Sequence, residues 1–297
     1  MQSASGYFQL GELRVARVEE SCQPAFPPEV MFPDLPAEAL QRQLRWLAPN
    51  YYDREAGLLV ASIHSWVVRT RHHTILIDTC GGNHKERPGF PALHQLDLPW
   101  LDRLAAVGVA PEQVDFVMCT HLHLDHVGWN TRLKDGRWVP TFPNAKYLFS
   151  RAEYDQWNGM PVGSRAVNEG VIEDSVLPVI EAGQSQFVED GYTLDDMLTV
   201  EATPGHTAGH VMIRAKGARA GGATGLFIGD IMHNPIQVPY PDINSGFCQA
   251  PAQARAVRRR VLSEAAEHNH LLLPAHFGTP HVGRVRRDGE AFAFIPG

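Results

Sequence analysis

The sequence predicts an α/β fold in which two similar β-rich halves pack sheet to sheet and carry their helices outside. In each half an apolar strand ends in an aspartate, which is Asp78 in the first half and Asp230 in the second. A predicted helix follows, and then a further apolar strand that ends in a histidine, His121 or His276. Nearly the same number of residues separates the aspartate from the histidine in both halves. Such a duplication indicates that polar residues of both halves meet at one end of the sheets.

Alternating and apolar runs predict the strands of the first half. These strands are residues 7–19, 58–69, 73–78 and 114–119. The last run is mostly apolar, β-branched or aromatic and contains no glycine or proline, which is typical of a short buried strand. Residues 98–107 have the apolar spacing of a helix and precede that strand.

Local signals predict a hairpin and the start of a helix. Asp135-Gly136 is a dipeptide that favours a tight turn between two strands. Ser150, followed three residues later by Glu153, is a capping-box pattern that opens a helix through Trp157. Residues 158–190 are predicted to be rich in loops.

Residues 251–267 are the predicted helix of the second half. Its basic cluster consists of Arg255, Arg258, Arg259 and Arg260. We expect these arginines to form the solvated face of the helix. The net charge of −7 argues against a nucleic-acid partner, which would favour a basic stripe.

Composition predicts an ordinary globular protein, with 44% hydrophobic and 20% charged residues. The cysteines lack paired spacing, so we expect reduced thiols in a reducing compartment. They are Cys22, Cys80, Cys119 and Cys248. The N-terminus shows no signal-peptide pattern, and no apolar run approaches the roughly 18 residues of a membrane span. These features predict a cytoplasmic protein with no membrane association.

Residues 22–52 differ from the rest of the chain. They are rich in proline and aromatic residues, with a short helical piece near 36–47. Such a segment is typical of a lid or of an arm that binds a partner, for example in a homodimer. A loop that only covers the edge of the core is an equally open interpretation. We expect one domain over residues 1–297, because the candidate site residues lie on both sides of the midpoint.

The densest chemical signal is the stretch His121-Leu122-His123-Leu124-Asp125-His126, which directly follows the predicted strand 114–119. Four of its six residues are potential metal ligands. In an extended segment alternate side chains point the same way, so His121 and His123 can share one ion. Asp125 and His126 can then turn toward another ion. The alternative is a solvated loop that happens to be rich in histidine.

This stretch resembles the HxHxDH motif of the metallo-β-lactamase superfamily. The remaining ligand types of that family follow in order as His206 in Thr-Pro-Gly-His-Thr, Asp230 in Leu-Phe-Ile-Gly-Asp and His276 in Leu-Leu-Leu-Pro-Ala-His. The resemblance covers most of the chain. It implies a four-layer αββα sandwich, which matches the duplicated pattern, with the metal site at one end of the sheets.

The resemblance also implies the ligand set. His121, His123 and His206 would bind a first metal, Asp125, His126 and His276 a second, and Asp230 would bridge the two ions. Imidazole and carboxylate ligands suit two Zn²⁺ ions per chain, with Mn, Fe or Co as alternatives. Two such metals can hold a bridging hydroxide, which would be the nucleophile.

One more aspartate and one more histidine are candidates beside this set. Asp78 stands where the family places an aspartate that orients a ligand imidazole. His210, four residues after His206, is expected to be structural rather than a ligand. Thr120 and Thr207 flank ligands and are compatible with ordinary turns.

Differences from relatives narrow the function. Lactam-cleaving relatives commonly have cysteine at position 230, and the oxygen-reducing diiron branch has glutamate at position 123, so Asp230 and His123 favour hydrolysis of another substrate. The chain after His276 is too short for the helical domain of the glyoxalase II branch. After these exclusions, the chain resembles the lactonase and methyl-parathion-hydrolase-like branch of the superfamily. Lactonases typically have tyrosine where this chain has His233.

The function hypotheses follow from this branch. The first is a dinuclear hydrolase that opens a lactone or ester of a small apolar molecule, with Asp125 and His233 as catalytic residues. His233 would donate a proton or hydrogen bond to the leaving oxygen. The alternatives are a phosphotriesterase and a metal-dependent binding or sensor module without turnover. The residues expected to form an apolar wall are Trp129, Trp157, Phe26, Phe32 and Phe247.

Overall fold

The computed structural model describes residues 6–217 and 224–297. The strands of the first half are β1 (Phe8–Leu10), β2 (Leu13–Phe26), β3 (Tyr52–Asp53), β4 (Leu58–Arg69), β5 (Thr74–Ile77), β6 (Phe116–Met118), β7 (Thr131–Lys134), β8 (Arg137–Pro140), β9 (Lys146–Ser150) and β10 (Ser185–Val188). Eight of them form one sheet in the order β1-β2-β4-β5-β6-β9-β10, with β3 paired to β4. The strands β7 and β8 form the hairpin predicted at Asp135-Gly136. Within the sheet, β5, β6, β9 and β10 run parallel.

The second half forms a seven-stranded sheet. Its strands are β11 (Thr193–Leu194), β12 (Leu198–Ala202), β13 (Val211–Lys216), β14 (Thr224–Gly229), β15 (Leu271–Pro274), β16 (Gly283–Asp288) and β17 (Ala291–Pro296). They are hydrogen-bonded in sequence order, and β14 pairs with β15 in parallel. The predicted duplication is therefore present, because a parallel strand pair stands at the centre of each half.

The helices are α1 (Pro28–Met31), α2 (Ala37–Leu47), α3 (Trp100–Ala106), α4 (Arg151–Gly159), α5 (Leu177–Glu181) and α6 (Pro251–His268). The helix α3 connects β5 to β6, and α6 connects β14 to β15. These crossovers place helices on the outer faces of both sheets. None of the helices in the described ranges combines the length and the apolar character that a membrane crossing requires.

Alternation of side chains along the central strands produces three apolar layers. On β5, Ile75 and Ile77 point into the layer between the sheets, while Leu76 packs outward with residues of α3. On β14, Phe227 joins the layer between the sheets, and Leu226 packs outward with residues of α6. Both faces of each central strand are therefore covered, which explains their continuous apolar sequences. The predicted four-layer αββα sandwich is confirmed.

Three sequence-based expectations need correction. Residues 7–19 form two antiparallel strands, because the chain reverses at Gly11, whose φ is +62°. The strand β2 then runs to Phe26, so the predicted irregular segment 22–52 begins inside a strand. Residues 158–190, predicted to be rich in loops, contain a π-helical turn, α5 and β10.

Candidate metal centre

The ends of the central strands place polar residues at one edge of the two sheets. Asp78 directly follows β5, and His121 lies shortly after the end of β6. In the second half Asp230 directly follows β14, and His276 lies shortly after β15. His206 comes from the connection between β12 and β13. Both halves therefore contribute to one site, as the duplication predicts.

The first group of candidate ligands contains three imidazoles and one carboxylate: His121, His123, His206 and Asp230. His123 Nδ1 lies 2.9 Å from His121 Nε2 and 2.9 Å from His206 Nε2. Asp230 Oδ2 lies 3.2 Å from His206 Nε2. The potential ligand atoms of the group all lie within 4.8 Å of one another.

The second group consists of Asp125, His126 and His276. His276 Nε2 lies 3.2 Å from His126 Nε2 and 3.6 Å from Asp125 Oδ2. The other oxygen of Asp230, Oδ1, lies 2.9 Å from His276 Nε2 and 3.2 Å from His126 Nε2. One carboxylate thus faces both groups, with a different oxygen toward each. The seven residues predicted as ligands are brought together here.

The chemistry of the second group fits a cation between its members. His126 Nδ1 lies 2.9 Å from Asp78 Oδ2, and His276 Nδ1 lies 3.0 Å from the backbone oxygen of Ser62. Each Nδ1 therefore donates, so Nε2 is the atom that carries the lone pair when the ring is neutral. These two nitrogens face each other, and the buried Asp230 Oδ1 beside them has no hydrogen-bond donor among the described residues. A metal ion would satisfy all three atoms at once.

Burial controls the protonation of the first group. It lowers the pKa of His121 and His123 well below the usual range, and the neighbouring imidazoles act in the same direction. Both rings are therefore neutral, which is the form that binds metal. Burial alone would raise the pKa of Asp230, but the imidazoles of His276 and His126 hold it well below its usual value. The Asp230 carboxylate has the opposite effect on His206, His126 and His276, where it outweighs burial and raises the pKa, for His206 to about 9. A metal ion at these three nitrogens would therefore displace a proton.

The family follows from a comparison with known sequences. The family model described as the metallo-beta-lactamase superfamily matches residues 59–276, which is more than half of the chain. The chain belongs to the metallo-β-lactamase superfamily. That family assignment confirms the resemblance inferred from the HxHxDH stretch.

Several curated relatives of the chain are lactonases. The chain is 24% identical over 176 residues to an N-acyl homoserine lactonase of Bacillus sp, an alignment that covers 55% of this chain and 62% of that protein. It is 30% identical over 115 residues to N-acyl homoserine lactonase AttM of Agrobacterium fabrum, covering 37% of this chain and 39% of that protein. The chain thus matches less than two thirds of the length of these lactonases.

Solved structures match over nearly the whole chain. The crystal structure of the hydrolase AbOPH, in the β-lactamase superfamily, is 26% identical with a TM-score of 0.80, covering 99% of this chain and 98% of that chain. The fold also matches AidC, a dizinc quorum-quenching lactonase, at 19% identity and a TM-score of 0.77, covering 98% of this chain and 96% of that chain. These matches show that the fold of the superfamily extends over nearly the whole chain.

Asp78 orients His126 of the second group by accepting a hydrogen bond from its Nδ1. Besides the contact with His126, its carboxylate accepts hydrogen bonds from the backbone nitrogen of Thr120 at 2.7 Å and from Thr120 Oγ1 at 2.8 Å. The orienting contact predicted for Asp78 is therefore present. Its backbone is left-handed, with φ of 56°, a conformation that aspartate and asparagine adopt more readily than most residues.

His210 supports the backbone of Asp230 and lies outside both ligand groups, as expected for a structural residue. Its Nε2 accepts a hydrogen bond from the backbone nitrogen of Asp230 at 3.0 Å. Its Nδ1 therefore carries the proton and donates to Thr203 Oγ1 at 2.8 Å. A Cβ on the preceding Gly229 would come within 2.6 Å of His210 Nε2, so only glycine leaves room for this contact.

His233 lies beside both groups. Its Nε2 is 3.2 Å from Asp230 Oδ2, and its ring is stacked on His276 with centroids 5.7 Å apart. Both ring nitrogens are buried and have no hydrogen-bond partner among the described residues. Burial lowers the pKa of His233 to about 4, so the imidazole is neutral near pH 7.

Two charged residues support the site without having been predicted to do so. Glu153 was interpreted only as part of a capping box, yet its carboxylate contacts two ligand loops. Arg258 was expected on a solvated face, but it is fully buried. Its guanidinium donates to the backbone oxygens of Ile231, at 2.9 Å, and Ile243, at 2.8 Å. It thereby fixes the chain just after Asp230, and three-dimensional contacts of this kind leave no local sequence signal.

A cavity of about 450 Å³ opens onto both ligand groups. Its lining is mainly apolar, and the predicted wall residues Phe26, Trp157 and Phe247 belong to it. Phe26 contacts the rings of Phe90 and Phe247, with centroids 6.1 Å and 5.9 Å away. The site is therefore reached through an aromatic surface.

Two other predicted wall residues lie elsewhere. Phe32 is fully buried in the core of the second half, and its neighbour Met31 lines the cavity instead. Trp129 stacks on Trp100 at a centroid distance of 5.3 Å and donates to Glu20 at 2.8 Å. The turn after His126 thus directs this tryptophan into the core.

Proposed function

We propose that the chain is a dinuclear metal-dependent hydrolase that opens a lactone or ester of a small apolar molecule. The observation that carries the proposal is the position of Asp230 between two groups of ligand-type side chains. Its Oδ2 faces the first group, and its Oδ1 faces the second. A carboxylate shared in this way is suited to hold two ions close together.

In this proposal His121, His123 and His206 hold one ion, Asp125, His126 and His276 hold the other, and Asp230 contacts both. Two bound divalent ions, with zinc the expected metal and Mn, Fe or Co as alternatives, would lower the pKa of a coordinated water and polarise the carbonyl oxygen of the ester or lactone.

The protein side chains orient the reacting groups. Asp125 is the most exposed of the ligand set and lines the cavity, so it lies on the side where a substrate would enter. His233 also lines the cavity and has unpaired ring nitrogens. We assign it to hydrogen bonding with the carbonyl or leaving oxygen of the substrate.

The cavity favours an apolar, uncharged substrate. Phe26, Phe90 and Phe247 form a continuous aromatic row along it. The basic side chain in its lining, Arg165, is already paired with Glu173 at 2.6 Å. Outside the proposed metal centre, a dianionic phosphomonoester would therefore find no unpaired lysine or arginine among the residues that line the cavity. The N-acyl homoserine lactonases among the curated relatives support a lactone.

The test is a substrate panel with zinc-loaded protein. The panel contains an N-acyl homoserine lactone, a p-nitrophenyl ester, diethyl p-nitrophenyl phosphate and p-nitrophenyl phosphate. We expect turnover of the lactone and ester, its loss on chelation and its return with zinc. The exposed variant His72→Ala is the matched control and should behave as the wild type. Preference for the phosphotriester would select that alternative, whereas preference for the phosphomonoester or full activity without metal would contradict the proposal.

Other expectations from the sequence remain proposals. Within residues 22–52, Phe26 and Met31 line the cavity, while Phe32 and Tyr51 pack in the core of the second half. These contacts favour the interpretation of the segment as a lid. The segment would form one wall of the cavity and belong to the same single domain. Homodimer formation and a cytoplasmic location stay predictions.

A further inference from the structure

Glu153 is a buried carboxylate with an unusual set of partners. It lies in the first turn of α4 and is fully buried. Ser150 Oγ caps the helix by accepting from the Glu153 backbone nitrogen at 3.4 Å, as the capping box predicts. The carboxylate, however, turns away from the helix start. A buried charge is retained only where several donors compensate for its desolvation.

Three of the four donors to this carboxylate come from two separate loops, and the fourth, Trp157, lies on α4 itself. Oε1 accepts from the backbone nitrogen of Leu122 at 3.1 Å and from Trp157 Nε1 at 2.7 Å. Oε2 accepts from Thr207 Oγ1 at 2.6 Å and from the backbone nitrogen of Gly209 at 3.1 Å. Oε1 therefore accepts from the loop that contains Leu122, and Oε2 accepts from the loop that contains Thr207 and Gly209.

These loops carry the imidazoles of the first ligand group. Leu122 stands between His121 and His123, and Thr207 directly follows His206. The first pair belongs to the first half of the fold and His206 to the second. One carboxylate thus connects two segments that are distant in sequence but must meet for three imidazoles to converge.

We propose that Glu153 is a positioning residue. It fixes the position of the loop that carries His121 and His123 relative to the loop that carries His206. This inference rests on the proposed metal centre and adds to it a residue that contacts no candidate ligand side chain. Its predicted effect is selective for one ligand group. The second group is held by Asp78 and by the backbone of Ser62, neither of which Glu153 contacts.

Close packing around Glu153 supports this role. A Cβ on Gly209 would lie 2.0 Å from the backbone nitrogen of Glu153. The loop that follows His206 therefore packs directly against the start of α4. On the other side, Asn168 Nδ2 donates to the backbone oxygen of Leu122 at 2.9 Å. Leu122 is therefore held through both its amide and its carbonyl, which fixes the direction of the two flanking imidazoles.

The isosteric change Glu153→Gln tests the proposal because it alters one of the two carboxylate oxygens. The amide nitrogen of glutamine would face donors of either the Leu122 loop or the Thr207 loop, and the two donors would repel each other. Loss of a residue that orients metal ligands typically costs about 10–100-fold in metal affinity. We expect that loss for one of the two zinc equivalents and no change for the other.

Two measurements provide the readout. A zinc titration against a chromophoric chelator resolves the two equivalents. Hydrogen exchange on metal-free protein follows the amides of Leu122 and Gly209, and we expect faster exchange of at least one in Glu153→Gln. Asp174→Asn is the matched control, because Asp174 is also a buried carboxylate but pairs with Arg87 at 2.7 Å rather than with a ligand loop. It should retain both zinc equivalents.

The conservative variant Thr207→Val removes a single donor and keeps the carboxylate, so it serves if Glu153→Gln does not fold. It should weaken the same zinc equivalent to a smaller extent. Unchanged zinc affinities, or an equal loss from both equivalents, would overturn the role of Glu153. A wild type that binds fewer than two zinc ions would instead contradict the proposed centre itself.

Discussion

The two ligand groups of the candidate centre are held in place by different means. The first takes imidazoles from both halves of the fold, and Glu153 connects the two loops that carry them. In the second, each imidazole has its own support: Asp78 contacts His126, and the backbone oxygen of Ser62 contacts His276.

This difference indicates that the groups depend on different parts of the fold. The first depends on contact between two loops, whereas the second depends on partners at the central strands, since Asp78 directly follows β5 and Ser62 lies within β4. Asp230 is a member of the first group, and its other oxygen faces the second. Substitutions should therefore weaken one group, the other, or both, according to which contact they remove.

The largest effect is expected from Asp230→Ala, because this change removes the carboxylate that both groups share. We expect weaker binding of both zinc equivalents and a loss of activity beyond the roughly 10–100-fold typical of residues that only orient ligands. Metal content after dialysis and the rate of lactone opening measure the two effects. Retention of one tightly bound zinc with substantial activity would show that the groups do not share a ligand.

Asp78→Asn should weaken the second group selectively and so complement Glu153→Gln. Asparagine tolerates the left-handed backbone at position 78, so the change removes the charge without imposing strain. We expect about a 10–100-fold loss of affinity for one zinc equivalent. In the double variant Asp78→Asn/Glu153→Gln, both equivalents should be weakened. If both single variants weaken the same equivalent, the proposed division into two groups is wrong.

His233→Asn should affect turnover and leave both groups loaded with metal. One hydrogen bond contributes about 1 kcal/mol, so we expect about a tenfold loss for lactones and alkyl esters, whose leaving groups need assistance. For p-nitrophenyl esters the loss should be small. A loss nearer to 10²–10⁴-fold for poor leaving groups alone would indicate full proton transfer. Equal losses for both ester classes would assign His233 to packing.

The smallest effect on the centre is expected at Lys85, which is fully buried and donates to Thr131 Oγ1 at 2.6 Å. Burial lowers the pKa of Lys85 to about 7. Between that value and about 10.4, the unfolded chain binds more protons than the folded one, so this lysine makes the free energy of unfolding rise with pH. Lys85→Met should flatten that rise in urea unfolding between pH 7 and 9, with unchanged zinc content. An identical pH dependence would contradict the shifted pKa.

Local sequence signals predicted the fold, whereas the set of candidate ligands came from the resemblance to the superfamily and stays a prediction. Apolar runs mark the central strands, and a polar residue follows directly where such a strand meets the site, as at Asp78 and Asp230. The missed break in the first strand is a single glycine, Gly11, whose left-handed φ does not follow from its neighbours.

Residues that act through tertiary contacts could not be predicted in the same way. Glu153 has the spacing of a capping box, and nothing nearby in sequence shows that its carboxylate reaches residues 122 and 207. Arg258 has charged neighbours typical of a solvated helix face. It is buried because backbone oxygens outside its helix, at Ile231 and Ile243, accept its hydrogen bonds.

Anomalous diffraction at the zinc edge from crystals of the zinc-loaded protein tests the central claim most directly. We predict two peaks about 3.5–4 Å apart, with Asp230 between them. One should lie beside His121, His123 and His206, and the other beside Asp125, His126 and His276. A single peak, or peaks away from these side chains, would contradict the dinuclear centre.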